Sequence, residues 1–575
     1  MTYRSDTKEG TGHMKRAKST GRFRLTAGLA LIAAVSLAAA ACSSSGSSGS
    51  SGGSSSGGGR VFTIGTENQL EHLDPFDYFT PMDYSVGQMI YPALDQWTSS
   101  GQPAGDLAKS WSHSSNGSTW TFNLYPDAKW SDGKPITAND VAFTFATILK
   151  YKASYSAIDD LYIVGLTSVT ATSPTTVVFN FSSPNAGFLS YIPNIPILPE
   201  HVWAKVATGS GSGLTKFATT LPIVSGGPFA PVSWNGTTTL LMERNPNFWG
   251  PDKPGPSLDK VGLQYYYNPD TLIDAIKSHQ IDYANQVTPT SASALKGIPG
   301  IDLTVYKSSE LIGLYFNMKA PANKATSNVV VREALDDAIN REQIATVAYP
   351  GGEPGESILT PRSLDYDAAI QPTFDVAKAN ALLDQAGYKM GPGGVRLANG
   401  KPLTFTILVD QQGLGGAGLR TFQLLAADFA KIGVKLNEDA LDTAAMFTKL
   451  YGTNDNYAGG WDALLETNSL DYDPAEYLVG FTTGSLGTYN WNGWSDPHFD
   501  SLYLQSNAAF DPATRQSVVD QAQEYAYQQH MTLVLAYLPF VDAHQNSWTG
   551  FGPGGAGSFS YLGYSAFTTI HSVGG

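Results

Sequence analysis

A single cysteine, Cys42, serves all 575 residues, so neither a disulfide framework nor a multi-cysteine metal site can form within one chain. Charge is sparse at 15% of residues, and the basic kind is the scarcer, with 35 Lys and Arg against 50 Asp and Glu. Residues 1–41 hold seven of those basic side chains and two acidic ones, so a whole-chain charge of −15 leaves −20 on the remainder. So acidic a body argues against a nucleic-acid partner and against direct docking on anionic lipid. Catalytic signatures are missing as well: there is no nucleophile elbow in a strand-to-helix context, no P-loop and no HExxH, and the nine histidines are scattered. The apolar run Leu25 to Ala41 is too short and too rich in alanine for a permanent membrane span.

That run has another use. Lys15, Arg16, Lys18, Arg22 and Arg24 precede it without an acidic interruption, the layout of a secretory signal over residues 1–41, with Met14 as an alternative start. Ala39-Ala40-Ala41 before Cys42 resembles the lipobox of bacterial lipoproteins, with Ala39 in place of the usual Leu. Ser43 to Gly59 is nothing but Ser and Gly, a flexible tether that cannot build a core.

Local rules agree best between Asp106 and Leu149. Trp120, Phe122 and Leu124 alternate with Thr119, Thr121 and Asn123, the period of a half-buried strand, and Asn116-Gly117 before them is a turn signal. After a second turn at Ser131 to Pro135, Thr137 and Asp140 form a capping-box pattern that opens the apolar run Val141 to Leu149. The expectation is hairpin, turn and capped helix. Asn235-Gly236 marks a further hairpin, and Glu310 to Met318 suits a strand buried on both faces. Val331, Leu335, Ala338 and Ile339 share one helical face, with Arg332/Asp336 and Asp337/Arg341 spaced as i,i+4 ion pairs on the other. Helix 375–386, strand 403–409, helix 419–432 and strand 434–436 then alternate, with Gly387 and Gly433 closing the helices, as in a parallel sheet covered by helices.

The stretch Asp106 to Leu149, the hairpin region Val224 to Gly250 and the run VREALDDAINREQI from Val331 together resemble the extracytoplasmic solute-binding proteins of ABC importers, family 5, the oligopeptide and dipeptide receptors. The resemblance implies an α/β fold, bilobed and periplasmic-binding-protein-like (type II, cluster C), with an additional small α+β domain. It implies lobe I from residues 60–93, 186–312 and 535–575, the small domain from 94–185 and lobe II from 313–534. The chain would cross between lobes at Glu310 to Met318 and at Leu533 to Phe540, and closure would trap a solute.

In peptide receptors of that family an Asp at the end of a strand takes the ligand's ammonium, and the backbone before it pairs with the peptide. The matching positions here are Asp471 with Leu470, Ser469 and Asn468. A carboxylate in a desolvated cleft is costly unless a cation meets it, which favours an amine; Asp471 is equally suited to capping the following turn. The segment Phe76 to Met82 passes the ligand in relatives and offers Phe79 and Pro81, Tyr155 comes from the small domain, and Trp461, Trp491 and Asn492 lie on the expected cleft side, each with plain packing as its alternative. No Lys or Arg occurs from Trp461 to Glu476, so a basic clamp for a peptide carboxylate is not evident there.

The chain is therefore read as a receptor lipidated at Cys42, on the outer face of the cell membrane, that hands peptides to an ABC permease. Oligosaccharide of the cello or manno type is the alternative ligand, because Trp with Asn and Asp also builds sugar sites; nickel and haem complexes come third. A secreted hydrolase using an acidic pair such as Asp471/Asp473 is the competing class. A monomer is expected, with no catalytic residue, resident metal, cofactor or nucleic-acid partner.

Overall fold

A computed structural model describes residues 60–575 except 79, 99–100, 152–162, 164, 217–220, 250–254, 320, 412, 452–458, 470–471, 487–488, 552–568 and 574–575. The first strand, β1 (Val61–Thr66), leads to α1 (Pro81–Ile90), which starts at a capping box: the Thr80 hydroxyl accepts from the Asp83 N–H and the Asp83 carboxylate from the Thr80 N–H, both at 3.1 Å. A small hairpin, β2 (Asp95–Trp97) with β3 (Pro103–Gly105), precedes β4 (Ala108–His113) and β5 (Thr119–Leu124). Next come α2 (Ala138–Lys150), β6 (Leu166–Ser173) and β7 (Thr176–Phe181), and the four longer strands form an antiparallel sheet in the order β4-β5-β7-β6. Here the sequence pattern is obeyed to the residue. Trp120, Phe122 and Leu124 are buried, Gly117 makes the turn at φ +67°, and Thr137 and Asp140 cap α2 reciprocally.

The larger sheet draws on both ends of the chain. It contains β8 (Phe229–Trp234), β9 (Thr239–Arg244), β10 (Lys260–Tyr265), β11 (Tyr283–Asn285) and β12 (Ile301–Phe316), with α3 (Pro269–Lys277) between β10 and β11. Beyond α4 (Val329–Asp337) come β13 (Glu353–Pro354), a two-strand hairpin of β14 (Leu397–Ala398) and β15 (Lys401–Pro402), and β16 (Thr404–Asp410). α5 (Gly415–Ala430), β17 (Lys435–Leu441), β18 (Ala463–Ser469), α6 (Pro512–Gln528) and β19 (Thr532–Gln545) complete it. The strand order is β17-β16-β18-β12-β19-β11-β1-β10-β9-β8, with β13 beside β19.

β12 and β19 stand in the middle and run antiparallel from Ile301 opposite Gln545 to Tyr315 opposite Thr532. The hydrophobic core changes partners along both strands at the same level. Ile301, Val541 and Ala543 pack with α3, whereas Ile312, Leu314, Leu533 and Leu535 pack with α4 and α5. The pair thus joins two separately cored halves. The β4-β5-β7-β6 sheet shares its buried cluster with β1, β8, β9 and β10.

One local expectation fails. Arg332 does not pair with Asp336: it is buried and donates to the carbonyl oxygens of Thr326, Gln529 and His530 at 2.9, 2.6 and 3.0 Å. α4 stops at Asp337, so Arg341 belongs to the next helix and reaches Asp336 instead, while Asp337 meets Lys378 at 3.0 Å. A helix break re-aims side chains that straight i,i+4 counting would align.

Candidate ligand site at the carboxyl ends of the parallel strands

On one side of the crossing pair β1, β10 and β11 run parallel, ending at Thr66, Tyr265 and Asn285; on the other, β16, β17 and β18 run parallel, ending at Asp410, Leu441 and Ser469. Ligands of open α/β sheets sit outside such carboxyl ends. The two sets of strand ends, flanking β12 and β19, define the candidate site.

Its electrostatics are acidic. Glu466 of β18 lies opposite Gly313, and Glu310 of β12 lies opposite Ser469. Burial pushes both carboxyls up to about 7. For Glu466 the Thr467 N–H, donating at 2.9 Å, pulls the other way and the neighbouring Asp410 pushes up further; its Oε2 is shut away from solvent without a hydrogen-bond partner. Just past β1, burial also pushes Glu67 up to about 7, and its Oε1 is likewise enclosed and unpartnered. Each half therefore presents one carboxyl oxygen that lacks a donor, on a group whose pKa burial raises to about 7, an arrangement that an incoming ammonium satisfies.

Of the residues singled out from the sequence, Asn468 lies opposite Leu311, where its side chain counters part of the rise that burial imposes on the Tyr315 phenol, while Ser469 is exposed at the strand end. The Tyr315 hydroxyl also meets that of Tyr477 at 2.9 Å, and its ring meets the half-buried Trp491 edge-on at 6.0 Å. Asn468 and Trp491 thus come together through a tyrosine that the sequence reading passed over. Trp461 and Asn492 lie deeper, at 0% and 2% exposure, with the Asn492 amide donating to the Met531 carbonyl and its own carbonyl accepting from Met318 at 2.7 Å. Pro81 is exposed at the first position of α1. Phe79, Tyr155, Leu470, Asp471 and Cys42 lie outside the described residues.

Tyr472 and Asp473, which sequence reasoning also missed as contacts, tie the halves together. The Tyr472 ring lies 5.1 Å from Trp97 of β2 on one side, and on the other its hydroxyl accepts from Arg362 Nη2 at 2.5 Å. A Cβ on Gly101, in the β2–β3 turn at φ +76°, would overlap that ring at 2.4 Å. Asp473 accepts from Ser190 Oγ at 2.5 Å, Arg515 Nη2 at 2.6 Å and the Ala475 N–H at 2.9 Å. Ser190 and Arg515 come from opposite halves, and Arg362 lies 110 positions from Tyr472 in sequence, so no local pattern announces either contact.

Residues 102–490 match the family model described as Bacterial extracellular solute-binding proteins, family 5 Middle. The chain belongs to that family. Family 5 proteins are extracytoplasmic solute-binding components of ABC importers, and this chain is one of them. Among curated relatives, the glutathione-binding protein GsiB of Escherichia coli (strain K12) is 24% identical over 488 residues, covering 83% of this chain and 89% of that protein. NikZ from Campylobacter jejuni, solved in complex with Ni(L-His), superposes with a TM-score of 0.75 at 20% identity over 89% of this chain and 99% of its own. The oligopeptide-binding protein AppA of Bacillus subtilis, solved with a nonapeptide, gives 0.71 at 19% identity over 90% and 99%. The α/β fold is that of the family 5 binding proteins. Among the described residues, no helix is long and apolar enough to cross a membrane, and no group of three or more His, Cys, Asp or Glu could hold a metal ion.

Proposed function

We propose that this family 5 protein captures peptides between its two halves and delivers them to an ABC permease. The observation that carries the peptide reading is the pair of enclosed, donor-less carboxyl oxygens, Glu67 Oε1 and Glu466 Oε2, on opposite sides of the crossing strands. An ammonium is the ligand group that relieves them, and the acidic net charge of the body favours its approach. The named ligands of GsiB and AppA, glutathione and a nonapeptide, support the same class. In this reading residues 60–93, 186–312 and 535–575 make lobe I, 94–185 the small domain and 313–534 lobe II. Asp471 takes the peptide's N-terminal ammonium and the two glutamate oxygens face ammonium groups of its side chains, Asn468 to Leu470 pair with its backbone, and Phe79, Pro81 and Tyr155 wall the opposite side. Cys42 carries the lipid, Ser43 to Gly59 form the tether, and the protein acts as a monomer that binds without turnover.

An oligosaccharide is the second reading, favoured by the half-buried Trp491 beside Tyr315 and Asn468, where an aromatic face and an amide adjoin. Melting-temperature and tryptophan-fluorescence titrations against peptide and sugar panels separate the two. Asp471→Asn is expected to abolish peptide affinity and leave any sugar affinity nearly untouched; equal loss of both, or loss of neither, counts against the amine role.

A further inference from the structure

We infer that the two halves are clasped by the protein's own side chains, with Phe510 as the knob, so that the chain closes before a solute arrives and the clasp sets how firmly any solute is held. The inference rests on reading the chain as a receptor that closes on a solute, and it specifies what the closure is built from.

Phe510 follows the helix Pro497–Ala508, whose Phe499 and Leu502 are buried with α6 in the core of the half that holds β16. Its own ring leaves that core. It lies 4.4 Å from the His113 ring and 5.9 Å from Trp120, and it packs on the cluster that the β4-β5-β7-β6 sheet shares with β1. The receiving surface is shaped for it. At Gly117, in the β4–β5 turn, a Cβ would overlap the Phe510 ring, so any other residue there would strain the turn and displace the knob.

Beside the knob the two halves are joined backbone to backbone: the Ala186 N–H donates to the Asn507 carbonyl at 2.8 Å. Such a bond survives a change of only about 0.5 Å in separation. Ala475 adds a buried apolar contact, at 0% exposure within the cluster of the β1 half, although Tyr477 and Leu478 just after it pack with the other core. Tyr472 against Trp97 and Asp473 against Ser190 extend the same seam. None of these residues belongs to β12 or β19, so the seam holds the halves independently of the strands that connect them.

Each contact is made between protein groups alone, so each is available to the free protein. Covering the Phe510 ring and the Ala475 methyl removes apolar surface from water, which favours closure by itself. A solute held between the halves needs the closed form, so its apparent Kd rises in proportion as the closed fraction falls. The clasp therefore acts on affinity without touching the solute.

Hydrogen exchange followed by mass spectrometry on the full chain, with no solute added, reads the clasp through the Ala186 amide, which is covered while its bond to Asn507 is made. The parent should protect that amide, and Phe510→Ala should speed its exchange at least about tenfold while the amides of β7 keep the parent rate. Phe510→Tyr, which keeps the ring, should stay near the parent. Tyr472→Ala, which removes the separate contact with Trp97, should speed the Ala186 amide as well, a response that fraying confined to the neighbourhood of Ala186 would not give. If Phe510→Ala also loses the β7 protection, Tyr472→Ala decides alone. An Ala186 amide unprotected in the parent, or exchanging at the parent rate in these two alanine variants, overturns the clasp. A protected Ala186 in a protein that binds no peptide sinks the peptide reading alone, whereas peptide binding with Ala186 unprotected sinks the clasp alone.

Discussion

Removing the Asp473 carboxylate should be one of the costliest single changes to the described fold. Its side chain is 0% exposed and that of Arg515 13% exposed, so Asp473→Ala leaves a largely buried guanidinium without its close partner. It also deletes the N-cap bond to Ala475 and the bond from Ser190. Breaking a buried ion pair from one side costs about 3–5 kcal/mol, within which a lost N-cap accounts for about 1 kcal/mol. Asp365, 4.0 Å from Arg515 Nε, offsets part of the stranded charge, so the expected loss is near the lower end, about 3 kcal/mol. Urea unfolding followed by circular dichroism measures it directly. Asp473→Ala/Arg515→Met removes the stranded cation, and about half of the loss should return. A loss below about 1 kcal/mol, or a double variant no more stable than the single one, would refute the reasoning.

Two pH dependences follow from the buried carboxyls. Burial alone would raise Asp336, but the Arg341 guanidinium and the hydrogen bond from His530 Nδ1 at 2.9 Å outweigh it and hold the carboxyl down to about 2. A depressed carboxyl stabilises the fold fully above its unfolded value of 3.8, and that contribution, about 2 kcal/mol, is lost as pH falls towards 2. Melting temperatures from pH 5 to pH 2 should therefore fall more steeply in the parent protein than in Asp336→Asn, and parallel curves would contradict this. Glu466 has the opposite sign: raised to about 7 by burial, it favours the fold below its unfolded value of 4.5 and loses that contribution as pH rises through about 7. An ammonium seated beside it expels its proton, so affinity for amine-bearing ligands should rise by up to about tenfold per pH unit below 7 and then level off, and Glu466→Gln should flatten the profile. Calorimetric titrations across that range check it; a flat parent profile would place the amine elsewhere.

The sequence was most legible where one local rule suffices. The β5 alternation, the Asn-Gly turns and the α2 capping box each depend on a few neighbouring residues, and each forms as read. The crossing strands were only half legible. Glu310 to Met318 stands out as an apolar run, but the first part of β12, from Ile301 to Lys307, mixes polar and apolar residues and becomes a strand by pairing with β19 across more than 200 positions. The site was least legible, because its contacts are made in space. Tyr315 looks like one more apolar residue in its run, Arg362 sits in a loop far from Tyr472, and Glu466 differs from any surface glutamate only through what folds over it. Arg332 shows the converse: spaced for a surface ion pair, it is drawn inside because three carbonyl oxygens await a donor there.

Native mass spectrometry of the protein with a mixed peptide library puts the central claim to its most direct test. Capture between the two halves predicts a single intact peptide retained per protein and recovered unchanged on denaturation. No adduct from any peptide, or recovery of peptide fragments in its place, would contradict it.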